Sequence, residues 1–279
     1  MVQLRRWRCA LDGFKNNGRV ERHDEWSHPL LRCPGVDFGT LQLDWTHVFD
    51  LGISQYFLGG LLEDMLEEVP GSNKAARMIS LNQLLDATQK NLEGPAALRT
   101  PNLEPSQFQS AAAQYPVLKR VKARRTRQLV HTAVDMLQSL TIDSEYRGLR
   151  FEAALKLSEV TRIVEDCKDW HMDSAKARIL LDSYTAFARM CTWLSKHHLR
   201  EHNRFRYHFT IKFHVAFHLC EQVQYLSPRL TWNYGSESFV GNIASLAQAS
   251  CAGTRPSILS HSLVRKYNVA LGLLLADLF

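Results

Sequence analysis

The chain has 279 residues, of which 45% are hydrophobic, and a formal net charge of +6. This apolar content is enough for a sizeable core and excludes a wholly disordered chain. The charge permits an acidic partner such as nucleic acid without demanding one. The six cysteines are scattered without a C-x-x-C pair, a pattern typical of free thiols in a reducing compartment.

No targeting or membrane segment is predicted at either end. The first residues, MVQLRRWRC, contain no apolar leader, and the apolar run over 268–279 is too short to span a bilayer. We therefore expect a soluble, intracellular protein without a membrane segment.

The predicted elements are mostly helices. Residues 1–37 are broken by glycines and prolines and are expected to be irregular. A short strand is predicted over 38–43, followed from Leu51 by a long helix that ends at Pro70. Further helical patterns cover seven segments: 74–92, 116–140, 146–168, 173–200, 206–226, 236–250 and 257–278.

Three segments interrupt or obscure this helical pattern. Residues 93–107 contain three prolines and predict a loop, and residues 227–235 break the pattern again. Residues 209–215 alternate between apolar and polar, which indicates a strand, but the longer spacing from Ile211 to Val223 favours a helix.

Asp44 and His47 form a D-x-x-H unit at the predicted junction of strand and helix. A carboxylate at the end of a strand is suited to metal binding, because the backbone fixes its direction. Asp is equally a preferred N-cap residue, and on the local pattern alone the cap is the favoured interpretation.

His214 and His218 are four residues apart, so a helix places both on one face. That spacing suits zinc, but the motif H-V-A-F-H lacks the glutamate of a metalloprotease, and structural histidines are favoured. A helical zinc hydrolase is therefore the last-ranked hypothesis. A second set of zinc-type side chains matches no known spacing: Cys9, His23, His28 and Cys33.

The segment KRVKARRTR, residues 119–127, has six basic residues in nine and no acid. Such a run either binds phosphate electrostatically or forms a solvated helix face, and the sequence leaves the two alternatives even. A second basic and aromatic cluster covers 196–209. There is no G-x-S-x-G motif, Walker loop or G-x-G-x-x-G motif, so no nucleotide cofactor is expected.

Three segments resemble RNase H-like transposases of eukaryotic cut-and-paste elements, of the CACTA or hAT type. The segments are LQLDWTHVFDLG, FTIKFHVAFHLCEQ and PRLTWNYGSESFVG, in that order. The first is similar to the D-x-x-H motif after the second catalytic acid, the second to a K-x-H-x-x-x-H motif and the third to the segment with the last glutamate. The matching residues are Asp44, His47, Lys212, His214, His218 and Glu237.

The resemblance implies two-metal phosphoryl transfer on DNA. Asp44 and Glu237 are implied as Mg²⁺ ligands and catalytic residues, with His47 near the scissile phosphate. Basic residues are implied to position the DNA backbone: Lys119, Arg120, Lys122, Arg124, Arg125, Arg127, Lys212 and Arg229. The first acid of this fold belongs on a strand well upstream. No aspartate before Asp44 lies in an apolar strand, so the carboxylate set is expected to be incomplete.

These observations predict a mainly α protein with an incomplete RNase H-like core of one or two short strands and a large helical insertion. The expected divisions are an irregular segment 1–37, a strand–helix remnant 38–70, a helical insertion 71–205 and C-terminal core helices 206–279.

The favoured function is a transposase-derived fragment, the C-terminal portion of such an enzyme, that binds DNA and is catalytically incomplete. DNA is then the expected partner, the nucleus the expected location, and a homo-oligomer is compatible with the pattern. The alternative is a non-catalytic helical interaction protein whose Asp and His residues are structural.

Overall fold

A computed structural model describes residues 43–90, 99–108, 115–251 and 255–276. A π-helical segment, Thr46–Ile53, runs directly into α1 (Ser54–Glu68). The remaining helices follow in order: α2 (Lys74–Lys90), α3 (Pro105–Phe108), α4 (Ala123–Gln138), α5 (Glu145–Asp166), α6 (Ser174–His202), α7 (Ile211–Gln222), α8 (Pro228–Thr231), α9 (Tyr234–Cys251) and α10 (Leu259–Ala276), with a 3₁₀ turn at Pro256–Ile258 between the last two.

The prediction of a mainly α protein is confirmed. The described ranges contain no strand, and most of the strand expected at 38–43 lies outside them. The ambiguous segment 209–215 is helical from Ile211, where the Thr210 hydroxyl accepts a hydrogen bond from the Lys212 N–H. None of the described helices is both long and apolar enough to cross a bilayer.

The helix predicted over 116–140 begins only at Ala123. The preceding residues lie extended across α1, where the Leu118 N–H donates to the Gln55 carbonyl at 2.9 Å and Gln55 Nε2 donates to the Val121 carbonyl. Gly59 allows this close approach, because a Cβ there would lie 2.6 Å from the Val117 Cα. A tertiary contact thus replaces the first predicted turns of this helix.

The core is built around α1, and the described residues from Asp44 onward belong to one compact unit. The helix buries an apolar face with no exposed surface at Leu58, Leu61, Leu62 and Met65. The π-helical segment packs against α4 and α7, and α5 packs along α6. This arrangement places the D-x-x-H unit at the start of the π-helical segment that continues into α1.

Beside these apolar side chains, α1 also carries a buried carboxylate. Asp64 is 3% exposed and accepts hydrogen bonds from the Tyr146 hydroxyl at 2.7 Å, the Tyr207 hydroxyl and Arg206 Nη1. Arg150, 1% exposed, places its Nη1 3.4 Å from the same carboxylate. Burial of an ion cluster is tolerated only when each charge is paired, as these are.

Glu68 extends this cluster along α1. Its two carboxylate oxygens accept from Arg150 Nη1 and Nη2 at 2.8 and 2.6 Å, and one of them also accepts from Arg147 Nε at 3.1 Å. Arg206 adds bonds to Glu67 and an ion pair with Glu63. These ion pairs join α1 to α5 and to Arg206, so they cross both boundaries proposed between 38–70, 71–205 and 206–279.

We predict a pH dependence of stability from His198. This imidazole is 3% exposed, and its Nδ1 donates to the Arg204 carbonyl at 2.9 Å. Burial, assisted by the nearby Arg206 charge, lowers the pKa of His198 below its ordinary value of about 6.5 despite that hydrogen bond. Between the lowered pKa of the folded state and about pH 6.5, the unfolded chain therefore binds more protons than the folded chain. The contribution of His198 to folding stability is present above about pH 6.5 and is lost as the pH falls.

The measurement is the free energy of unfolding in urea between pH 7.5 and pH 5. We expect the wild type to lose stability on acidification more steeply than His198→Asn, which retains a side-chain donor for the Arg204 carbonyl. Burial also lowers the pKa of His208. Because His208 is present in both proteins, its contribution cancels when the two profiles are compared. Parallel profiles for the two proteins would contradict the prediction.

Candidate functional site

Asp44 caps the helix that it precedes. Its Oδ1 accepts a hydrogen bond from the Thr46 N–H at 2.9 Å, and its main-chain carbonyl accepts from the Val48 N–H at 3.2 Å. Its Oδ2 contacts Nδ1 of the exposed His47. These contacts agree with the cap interpretation of the D-x-x-H unit.

Asp44 also fixes the beginning of α9. The Asn233 N–H donates to Asp44 Oδ1 at 3.1 Å and to the Thr46 hydroxyl at 3.0 Å. Glu237 is the fourth residue of α9, so the helix that carries it begins beside Asp44. The Glu237 side chain itself lies outside the described residues.

Lys212 joins the second motif to the first. Its Nζ donates to the main-chain carbonyls of His47 at 2.9 Å and Leu51 at 3.2 Å, both in the π-helical segment. Its stem passes Gly52, where a Cβ would lie 2.6 Å from the Lys212 Cδ. Burial lowers the pKa of Lys212. The ammonium is thus engaged with the backbone of a π-helix, a conformation that is rare and often found at functional sites.

We predict that Lys212→Met destabilises the fold by about 1.5–3 kcal/mol, because it removes charge-assisted bonds to two main-chain carbonyls, one of them partly buried, but keeps the aliphatic stem. Urea unfolding measures the change, with Lys196→Met on the exposed surface of α6 as the control. A variant with wild-type stability but weaker DNA affinity would instead identify Lys212 as a DNA contact.

The three motif segments therefore meet in space. Residues 44–52, Lys212 and the start of α9 are separated by up to 189 positions in the sequence, and direct hydrogen bonds connect them. No local sequence pattern in any of the three segments predicts this contact. Their convergence is the central geometric feature of the candidate site.

Of the two implied magnesium ligands, the described side chains include only Asp44. Three donors already occupy the two oxygens of Asp44: the N–H groups of Thr46 and Asn233 on Oδ1, and the His47 ring on Oδ2. Within the described ranges, no group of three or more His, Cys, Asp and Glu side chains is placed to hold a metal ion. We derive no metal-dependent step from these residues.

Arg127, predicted as a DNA contact, is a core residue in this structure. It is 5% exposed and donates from Nε and Nη2 to the two Asp50 oxygens at 3.1 and 2.7 Å. Its guanidinium lies 4.6 Å from the ring centroid of Trp232 and 5.1 Å from that of Tyr234. The Tyr234 hydroxyl donates to Asp50 at 2.6 Å, so the guanidinium is surrounded by protein and is not presented to a phosphate.

Arg229 also has a structural position. Its Nη1 donates to the Glu165 and Cys167 carbonyls, at the C-terminal end of α5, and its guanidinium lies 5.0 Å from the Trp232 ring centroid. A cation is favourable at the negative end of a helix dipole. Like Arg127, Arg229 connects residues 227–235 to the helices of the predicted insertion, 71–205.

The remaining basic residues of 119–127 lie at the surface. Lys119, Arg120, Lys122 and Arg124 are exposed, and Arg125 is half-buried. We call the four exposed residues the basic strap. Three of them precede α4, and Arg120 has a φ of +59°, a left-handed conformation unusual for a residue other than glycine. The strap is held on α1 by the hydrogen bonds of Leu118 and Val121 to Gln55.

A polar pocket of about 330 Å³ between α4 and α5 has no signature in the sequence. His131 Nδ1 lies 2.8 Å from the Ser158 hydroxyl, and its Nε2 lies 3.5 Å from Glu165. The order Ser–His–Glu is that of an activated nucleophile, but Ser158 lies in the middle of α5, where neighbouring N–H groups are used by the helix. The arrangement therefore has no main-chain oxyanion donors.

The two sequence-predicted zinc sets have different outcomes. His214 and His218 lie on one face of α7, as the spacing predicted, and their Nε2 atoms are 3.2 Å apart. The set formed by Cys9, His23, His28 and Cys33 lies outside the described residues.

Comparisons of this chain with models of protein families, with curated proteins and with solved structures found no match.

Proposed function

We propose that this chain is derived from an RNase H-like transposase and binds DNA without cleaving it on its own. The observation that carries the proposal is the convergence of the D-x-x-H unit, Lys212 and the beginning of α9. The resemblance requires those three segments to share one site, whereas unrelated motifs have no reason to meet. A nuclear location and DNA as the partner belong to the same proposal.

The basic strap supplies the DNA-binding surface in this proposal. Its four residues are exposed in an extended segment and the first turn of α4, an arrangement that can follow a phosphate backbone. Arg127, Lys212 and Arg229 are left out of this surface because Arg127 is buried and the other two are only partly exposed. The expected binding is electrostatic and independent of base sequence.

The absence of cleavage in this proposal rests on the incomplete carboxylate set, since no aspartate before Asp44 lies in an apolar strand of the sequence. The contacts of Asp44 add to it, because three of its roughly four lone-pair sites accept from Thr46, Asn233 and His47. We assign Mg²⁺ only to an active form of the domain, which needs a further carboxylate beside Asp44 and Glu237.

We predict that replacing the four residues of the basic strap with alanine weakens DNA binding and its salt dependence together. Each lost phosphate contact lowers the slope of log K against log salt by about 0.9, hence by up to about 3.6 for four contacts. Fluorescence anisotropy with duplexes of two unrelated sequences, from 50 to 200 mM salt, measures both quantities.

The matched control removes four exposed cations elsewhere: Lys90, Lys168, Lys176 and Arg178. Both variants lose the same net charge, so a general electrostatic effect changes both equally. Only a larger loss in the strap variant supports the proposed surface. No DNA binding by the wild type, or equal losses in the two variants, would reject it.

The alternative function is a helical interaction protein, and the cap contacts of Asp44 favour it. Under this alternative the motif residues serve only to join the π-helical segment to α9. The two functions differ in the strap experiment. The alternative predicts that the wild type does not bind DNA at 150 mM salt, and that the strap variant keeps its fold and helix content.

A further inference from the structure

The exposed face of α7 presents two imidazoles and a carboxylate. Phe213, Ala216, Leu219 and Cys220 form the buried face of this helix, and His214, His218 and Glu221 lie on the other side at spacings of four and three. None of these three side chains caps the helix or pairs with one of the ion clusters described above. The face is available for a ligand.

The two histidines point the same ring nitrogen at each other. His214 Nε2 and His218 Nε2 are 3.2 Å apart, with the rings at 84°. This is the distance of an N–H···N hydrogen bond, so a metal ion bound here would replace the proton shared by the two nitrogens, which would leave to solvent or move to His214 Nδ1. Two nitrogens bound at about 2.0–2.1 Å to one tetrahedral zinc ion lie about 3.3 Å apart. The observed separation therefore already matches the distance between two ligands of one metal ion.

Glu221 fixes the orientation and tautomer of His218. The His218 Nδ1 lies 3.0 Å from Glu221 Oε2, so the proton is on Nδ1 and the Nε2 lone pair is directed at the shared point. Metal-bound histidines commonly have a carboxylate on their second nitrogen, which orients the ring and increases its basicity. His214, His218 and Glu221 thus supply two ligands and one outer-shell group.

We propose that His214 and His218 bind one divalent transition-metal ion of the zinc class through their Nε2 atoms, with Glu221 supporting His218. Neutral imidazoles favour such ions over Mg²⁺. No third His, Cys, Asp or Glu ligand is grouped with them in the described part of the chain, so water fills the remaining coordination positions. The proposal concerns a binding site on α7 and is independent of the DNA-binding proposal.

The site is tested on the full chain with ZnCl₂ as the probe, by titration calorimetry and by long-range ¹H–¹⁵N spectra of the imidazole rings. We expect Zn²⁺ to shift the ring signals of His214 and His218 and to raise the melting temperature reversibly with a chelator. His214→Ala and His218→Ala are each expected to weaken binding at this site by at least about 10-fold, and Glu221→Gln by about 10-fold.

The matched control is the second pair of histidines with the same spacing, His198 and His202 on α6. Their rings are 4.5 Å apart, but His198 is buried and its Nδ1 bonds to the Arg204 carbonyl. His202→Ala is therefore expected to bind Zn²⁺ as the wild type does.

Zinc bound with unchanged affinity by the double variant His214→Ala/His218→Ala would overturn the proposal, because thiols such as the exposed Cys251 would then be the ligands. Ring signals of His214 and His218 that do not respond to Zn²⁺ in the wild type would overturn it without any substitution.

Discussion

Arg150→Met is expected to destabilise this protein by about 3–5 kcal/mol, because it removes one partner from a buried ion cluster and leaves the other charges in place. Arg150 is 1% exposed and donates two hydrogen bonds to Glu68 while lying 3.4 Å from Asp64. Burial opposes the charged guanidinium, but the Glu68 hydrogen bonds and the Asp64 charge outweigh it and raise the pKa of Arg150 above its ordinary value. Methionine fills a similar volume, so the change isolates the charge.

Urea unfolding measures this effect, and Arg178→Met provides the control. Arg178 also pairs with an aspartate four residues along its helix, but its side chain is 79% exposed. An exposed ion pair contributes at most about 1 kcal/mol, so this variant is expected to unfold almost as the wild type does. Similar losses in the two variants would show that the buried cluster contributes no more than a surface pair.

A second substitution tests the cause of the Arg150 effect. Glu68→Gln in the Arg150→Met background removes a carboxylate that the first change left without its main partner. The double variant is therefore expected to be more stable than the sum of the two single losses predicts. Simple additivity would assign the loss to packing.

Helix positions were largely predictable from the sequence because helical periodicity is local. Ile211 to Gln222 were assigned correctly despite an alternating stretch, since Phe213, Ala216 and Cys220 bury one face, although the predicted helix over 206–226 extended beyond both ends. The start of α4 was predicted too early because Val117 and Leu118 have an apolar spacing that suits a helix. A contact with Gln55 and Gly59, about 60 positions away, decides their conformation instead.

The roles of charged residues were less predictable, because their partners are far away in the sequence. Arg127 looks like its neighbours Arg124 and Arg125 in a basic run, and only its partner Asp50, 77 positions earlier, separates it from them. Lys212 bonds to carbonyls 161 and 165 positions earlier. Residue type and spacing predicted that these groups matter, but not whether they contact protein or a ligand.

The acids Glu63, Asp64, Glu67 and Glu68 illustrate the same limit. In the sequence they form a charged run at the end of an apolar helix, where a solvated face is the simplest expectation. In the structure Asp64 is buried by Arg150, Arg206 and two tyrosines. Burial of Asp64 depends on residues about 80 and 140 positions downstream, and no local pattern contains that information.

The same reasoning makes Arg127→Met the second large prediction. Its replacement is expected to destabilise the protein by about 3–5 kcal/mol, because Asp50 is 3% exposed and loses both of its bonds from the guanidinium. The Trp232 and Tyr234 rings lose their cation, so the segment that leads into α9 is loosened as well. Urea unfolding gives the loss, and the rate of limited proteolysis near 227–235 reports the loosening.

Arg124→Met distinguishes a structural arginine from a DNA-binding one in the same helix. Arg124 is exposed, three positions before Arg127, so its replacement is expected to leave stability within about 0.5 kcal/mol and to weaken DNA binding. Arg127→Met is expected to do the reverse: at a temperature where the variant stays folded, its DNA affinity remains close to that of the wild type. If Arg127→Met weakens DNA binding without loss of stability, Arg127 contacts DNA, and its bonds to Asp50 must open on binding.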